Sequence, residues 1–253
     1  MFAPVVRSDM ILLVGGLGDL PAQWQPLIRA LGPDLPVRHA RRGQPGELAD
    51  EVAAVHRLVR QHGDEPVDLV AHSMGAFVAE AYARSHPGYA HGLVLLDPSV
   101  EGRPRRYAEP LAGRALRPTR RAARTRLAAA LLGRGQRWLD PALPPEHVDA
   151  VVAALRDGDF IDRCLTEWNA YPRWAADLLD LRRHTPLPTA RSLVVTAQRH
   201  RLSGWPRRHR ALARQLGGHH RVVRPSGHLV MTAHPHRVAA LIRAHLADRP
   251  AGG

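Results

Sequence analysis

The sequence predicts an α/β fold: a mostly parallel sheet of about six strands flanked by helices, with a helical cap inserted near its middle. Three observations carry this expectation. Short apolar, β-branched runs alternate with helix-patterned stretches, as βαβ units require. Runs such as LVLL and LVV lack a polar face, as strands covered on both sides do. The alternation is interrupted once, between Pro98 and Pro188, for about ninety residues, far more than an ordinary strand-to-helix connection. A chain of 253 residues is long enough for one substantial core. We therefore expect a core made of residues 1–97 and 188–253, and a mostly helical, arginine-rich cap or lid at 98–187.

In chain order, strands are placed at residues 10–14 (MILLV), 36–39 (PVRH), 67–71 (VDLVA), 92–96 (GLVLL), 192–197 (SLVVTA) and 221–224 (RVVR). Helices fit 21–31, 47–62, 74–85, 206–216 and 236–246. Their apolar positions recur at helical spacing, with Val52, Val55 and Val59 on one helix and Val238, Leu241 and Ile242 on another. Each lays one face on the sheet. Within the insertion, an arginine- and proline-rich stretch precedes PALPPEHVDAVVAALRDG and the tryptophan-bearing FIDRCLTEWNAYPRWAADLLDLRRH.

At 45% hydrophobic and 23% charged, the composition is that of an ordinary globular protein, and no apolar run approaches the roughly 18 residues of a membrane span. The N-terminus lacks the order of a signal peptide, since Asp9 interrupts it, and the only cysteine, Cys164, has no internal disulfide partner. Both features lead us to expect a cytoplasmic location. The net charge of +13 comes entirely from arginine, for the chain has no lysine. Residues 101–137 hold eleven Arg against Glu101 and Glu109, and residues 181–247 hold thirteen Arg and no acid, so the remainder is net acidic. Such a dipolar chain attracts anionic ligands or a membrane surface at its basic cap, although solvated surface is the ordinary role of arginines. No nucleic-acid-binding module is recognisable, so specific nucleic-acid binding is not expected.

The chemistry-bearing stretch is VDLVAHSMGA, residues 67–76, where an apolar strand runs into a helix with Ser73 at the join. A serine there is either a helix cap or a nucleophile. A-H-S-M-G differs from the G-x-S-x-G nucleophile elbow only at Ala71. That elbow needs small residues two positions either side, because a sharp turn pushes the serine out beyond the sheet edge. Ala71 and Gly75 meet the need. A second stretch, LLVGGLGD at 12–19, places glycines between a strand and a helix, where backbone N–H groups can turn inward. It fits neither G-x-G-x-x-G nor a P-loop, which argues against dinucleotide or NTP binding. A third, RPSGHLVMTAHPHRVAALI, sets His228 on a turn between a late strand and the C-terminal helix.

Taken together, these stretches resemble the α/β-hydrolase superfamily over residues 10–246. The resemblance implies Ser73 as nucleophile and His228 as base, with Pro235 opening the terminal helix, in the order Ser, acid, His. The glycine loop is similar to the family's His-Gly-x-Gly loop, with Gly15 at the His position. Leu17 and Met74 N–H groups would then form the oxyanion hole, each donor being worth on the order of 3 kcal/mol. Only nine residues precede the first strand, so we expect a reduced sheet without the family's usual first hairpin.

The acid departs from the commonest family pattern. Most members carry it after the strand equivalent to SLVVTA, yet no Asp or Glu occurs from Leu181 to Ala247. Either the triad is incomplete or its acid lies elsewhere, and the candidate is Asp97 in GLVLLDPS, as in pancreatic-type lipases. Asp97 would orient His228 and stabilise its imidazolium.

The function implied is a serine hydrolase that cleaves a carboxylic ester or thioester of a small-molecule acyl substrate through an acyl-enzyme, without a cofactor. Phe160, Leu165, Trp168, Tyr171 and Trp174 of the insertion are candidates for the acyl pocket. The alternative is a non-catalytic homologue that binds or scaffolds. No metal site is implied, because GGHHR and HPHR lack further ligands at structural spacing.

Overall fold

The computed structural model describes residues 10–40, 46–100, 142–188, 190–200 and 203–247. Six strands, β1 (Ile11–Val14), β2 (Val37–Ala40), β3 (Val67–His72), β4 (Ala90–Leu96), β5 (Arg191–Ala197) and β6 (His219–Val223), form one sheet in the order β2-β1-β3-β4-β5-β6. Every pairing is parallel. The chain runs outward from β1 to β2 and then crosses back to β3 on the other side of β1. The strand order therefore reverses between β1 and β3, and in such sheets a ligand crevice opens at the carboxyl ends at this point. Val14 and Ala71 are register partners there, so the glycine loop after β1 and the serine turn after β3 leave the sheet side by side.

Side-chain alternation along the strands divides the core into two layers. Leu12, Val14, Leu69, Ala71, Leu93 and Leu95 pack with α2 (Leu48–Gln61), α3 (Gly75–Ser85) and α6 (Trp205–Gln215). Ile11, Leu13, Val70, Val94 and Leu96 pack on the other face with α1 (Pro21–Leu31), the short α7 (Val230–Ala233) and α8 (Pro235–Ala247). On α1, Pro21 opens the helix, where its missing N–H costs nothing, and Trp24, Leu27 and Leu31 fall on one fully buried stripe. Burial of each such side chain contributes roughly 1.5–3 kcal/mol.

Between β4 and β5 stand α4 (Pro145–Ala154) and the 27-residue α5 (Gly158–His184). At the start of α5, Asp157 accepts the Asp159 N–H; its last turn carries Arg182, Arg183 and His184, complementing the helix dipole. It is fastened to α3 by a buried cluster. Arg182 makes a bidentate pair with Glu80 at 2.8 and 2.6 Å, and Arg84 adds a 2.9 Å bond to the same carboxylate. Trp174 and Leu178 enter the first core layer beside it.

The six-strand, helix-flanked sheet is the one expected. Two details differ. β6 begins at His219, two residues before the expected start, because on this edge strand His219 and Arg221 face solvent and conceal the pairing from a hydrophobicity reading. The four-residue α7 was not anticipated. The expected insertion falls in part on residues 101–141, so the arginine-rich stretch 101–137 lies outside the described residues. No described helix is long and apolar enough to cross a membrane.

Candidate active site

Ser73 occupies the turn from β3 into α3 with φ of +52°, a left-handed conformation that costs a non-glycine residue roughly 1–2 kcal/mol. The neighbouring backbone holds it there. Ser73 N–H donates to Leu96 O at 3.1 Å, and Ser99 N–H donates to Ser73 O at 3.0 Å. Space around the turn explains its small neighbours: a Cβ on Gly75 would lie 2.4 Å from Gly15 O, and one on Gly16 would lie 2.8 Å from Ser73 Cβ. The glycine loop is thus pressed directly against the serine turn.

His228, on the loop between β6 and α7, faces the serine. Its Nε2 lies 2.9 Å from Ser73 Oγ and its Nδ1 lies 2.6 Å from Asp97 Oδ2. A carboxylate only accepts, so Nδ1 carries the proton and Nε2 is left to accept from the serine hydroxyl. Asp97 stands at the carboxyl end of β4, also with positive φ, and its second oxygen accepts the Ala197 N–H at 3.0 Å. Ser73, His228 and Asp97 therefore meet although they are scattered over 155 positions of sequence.

Two further histidines support this group, and neither was expected from sequence. His72 is buried beneath His228, with ring centroids 4.5 Å apart, and its Nε2–H donates to His228 O at 3.0 Å. Burial, reinforced by the nearby His228, holds the His72 proton affinity well below the usual histidine range, so it stays neutral. His209 on α6 is fully buried; its Nε2–H donates to Pro98 O at 2.9 Å, while its Nδ1 lies 2.9 Å from Thr196 Oγ1. Burial lowers its pKa as well, more than the adjacent Asp97 raises it. It fixes the backbone just after Asp97 without contributing a positive charge.

Leu17 and Met74 border the same cleft as Ser73, and neither backbone N–H has an acceptor among the described residues. The next N–H, of Gly18, turns away and donates to Glu167 Oε2 at 2.7 Å. The cleft has a volume of about 1010 Å³. Trp168 and Tyr171 line it, together with Pro98, Pro172 and Trp205. Three expected pocket residues lie outside this lining. Trp174 is fully buried in the core, its indole N–H donating to Gly46 O at 3.1 Å; Phe160 is buried beside the Gly18 turn; and Leu165 is half-buried on α5. Trp205 also lines the cleft and was not expected there, although its place at the start of α6, just beyond the carboxyl end of β5, was a usable signal. Among the described residues no three His, Cys, Asp or Glu side chains gather as a metal site would need.

Comparison with known proteins adds an independent line. Residues 11–241 match a family model described as the alpha/beta hydrolase family. Lipase LipV of Mycobacterium tuberculosis is 28% identical over 253 residues, spanning 94% of each chain. Among solved structures, an alpha/beta hydrolase enzyme, MGS-M2, from a Medee basin deep-sea metagenome superposes with a TM-score of 0.70 at 14% identity, over 100% of this chain and 94% of that one. A thermophilic esterase from Thermogutta terrifontis superposes with a TM-score of 0.67 at 21% identity, over 95% of this chain and 90% of that one.

Proposed function

The chain belongs to the alpha/beta hydrolase family, and from that premise we propose that it is a serine hydrolase of carboxylic esters or thioesters. The observation that carries the reading is the continuous line from Asp97 through His228 to Ser73, at 2.6 and 2.9 Å. His228 Nε2 takes the hydroxyl proton as Ser73 Oγ attacks the carbonyl carbon. The Asp97 carboxylate stabilises the imidazolium so formed. Leu17 and Met74 N–H groups receive the oxyanion, and their lack of other acceptors among the described residues supports that role. His228 then protonates the departing alcohol or thiol, leaving an acyl group on Ser73. In the second half, His228 deprotonates a water that attacks the acyl carbonyl, and the serine leaves with its proton restored.

The acyl group would lie along Trp168, Tyr171 and Trp205, the aromatic part of the cleft. On this reading residues 98–187 act as a cap, whose α5 supplies the first two. The relationship to a lipase supports ester substrates of small-molecule size.

The test is hydrolysis of p-nitrophenyl esters of increasing acyl length, with an acyl thioester alongside. Wild type is expected to turn over members of this panel, and Ser73→Ala is expected to lose about 10³-fold or more in kcat/KM. A folded wild type inert towards every substrate would favour a non-catalytic binding or scaffold role. Activity retained by Ser73→Ala would remove Ser73 as nucleophile.

A further inference from the structure

Glu167 lies on α5, 149 positions from the glycine loop in sequence, and is only 2% exposed. Its carboxylate accepts the Gly18 N–H at 2.7 Å. The same stripe of α5 closes over Gly18: a Cβ on that glycine would meet Cys164 Sγ at 3.1 Å and Phe160 Cζ at 3.8 Å, and residues 160, 164 and 167 are spaced as one helical face. Gly18 itself has φ of +62°, a left-handed conformation that glycine adopts without strain, so the orientation of its peptide plane needs a partner outside the loop as a fixed point. Glu167 supplies such a fixed point. It captures the N–H of Gly18, while Leu17, the residue just before, lines the cleft with Ser73 and its own N–H has no acceptor among the described residues.

We propose that Glu167 is a positioning residue for the oxyanion hole, and that through it the loop is competent only while α5 is seated on the core. The assignment rests on the reading of Ser73 as nucleophile and of Leu17 N–H as an oxyanion donor. It makes the seated helix the active state. A carboxylate that merely pinned α5 to the core would govern stability and leave chemistry alone. The two roles separate experimentally, because misplacing a donor by about 1 Å can cost 10²-fold in rate.

The experiment compares wild type, Glu167→Ala and Glu167→Gln by steady-state hydrolysis of a soluble p-nitrophenyl ester, by the rate of phosphonylation with a fluorophosphonate, and by Tm. Glutamine keeps an acceptor oxygen at the same reach and discards the charge. We expect Glu167→Ala to lose about tenfold or more in kcat with KM within about threefold, and to lose the same factor in phosphonylation, whose tetrahedral phosphorus oxygen uses the same donors. Glu167→Gln is expected to recover to within about threefold of wild type in both. Wild-type kcat and phosphonylation rate in Glu167→Ala would overturn the assignment, whatever its Tm. So would a glutamine variant as slow as alanine. A wild type inert in both assays would instead remove the Ser73 reading, and this assignment with it.

Discussion

Asp97 answers the residue-scale question left by the empty stretch from Leu181 to Ala247: which carboxylate orients His228. One oxygen meets His228 Nδ1 and the other accepts the Ala197 N–H, so the carboxylate is held at both ends and cannot rotate away. Asp97→Asn presents an amide that stabilises the wrong histidine tautomer. We expect kcat/KM to fall by about 10³–10⁴-fold with Tm little changed, measured on the best ester of the panel; an unchanged kcat/KM would show that another group does this work. Ser73, His228 and Asp97 were legible because each sits in a strand-end context that a local reading recognises. His72 and His209 were not. Their partners are the carbonyls of His228 and Pro98, 156 and 111 positions away, and nothing adjacent in sequence signals such a bond. Trp174 lies in the core and not in the cleft lining for a related reason: one helix carries four aromatics, and only the packing of α5 decides which face points to the core.

At the scale of elements, the site is the meeting of two turns, and the close approach of α3 to β1 makes it rigid. Gly75→Ala would place a methyl group 2.4 and 2.5 Å from the carbonyl oxygens of Gly15 and Val14, so the helix start must shift and carry Ser73 with it. We expect lower Tm together with loss of activity, whereas wild-type values for both would refute the tight contact. The α3–α5 link is a second element-scale test. Glu80→Ala leaves the buried guanidiniums of Arg84 and Arg182 without their carboxylate. Breaking a buried pair in this way costs about 3–5 kcal/mol, or roughly 10 °C in Tm for a chain of this size. A change under about 3 °C would show that solvent replaces the carboxylate. Strands β1, β3, β4 and β5 were visible in sequence because both their faces are buried. Pro172 lies inside α5, where a proline ordinarily breaks or kinks a helix. Here the proline stands at the cleft wall, where solvent can take the carbonyl that its missing N–H leaves unpaired.

On the scale of the whole molecule, the glycine loop after β1, the serine turn after β3, Asp97 after β4 and His228 after β6 all leave the carboxyl ends of parallel strands and so meet at one sheet edge. The buried histidines give the folded chain a distinct acid response. His72, His147 and His209 are all held below the ordinary histidine value by burial. The unfolded chain therefore binds protons below about pH 6.5 that the folded chain refuses, and stability falls with acidification from that point down to the depressed folded values. For fully buried His72 the slope approaches about 1.4 kcal/mol per pH unit. We expect a lower Tm at pH 5.5 than at pH 7.5, and an equal or higher one would contradict the neutral burial of these rings. Whether the gathered groups act as a catalyst is tested most directly by reacting the folded protein with a fluorophosphonate and mapping the adduct by peptide mass spectrometry. A single adduct on Ser73, lost on prior unfolding, is expected. No adduct, or one on another residue while Ser73 stays unmodified, would contradict it.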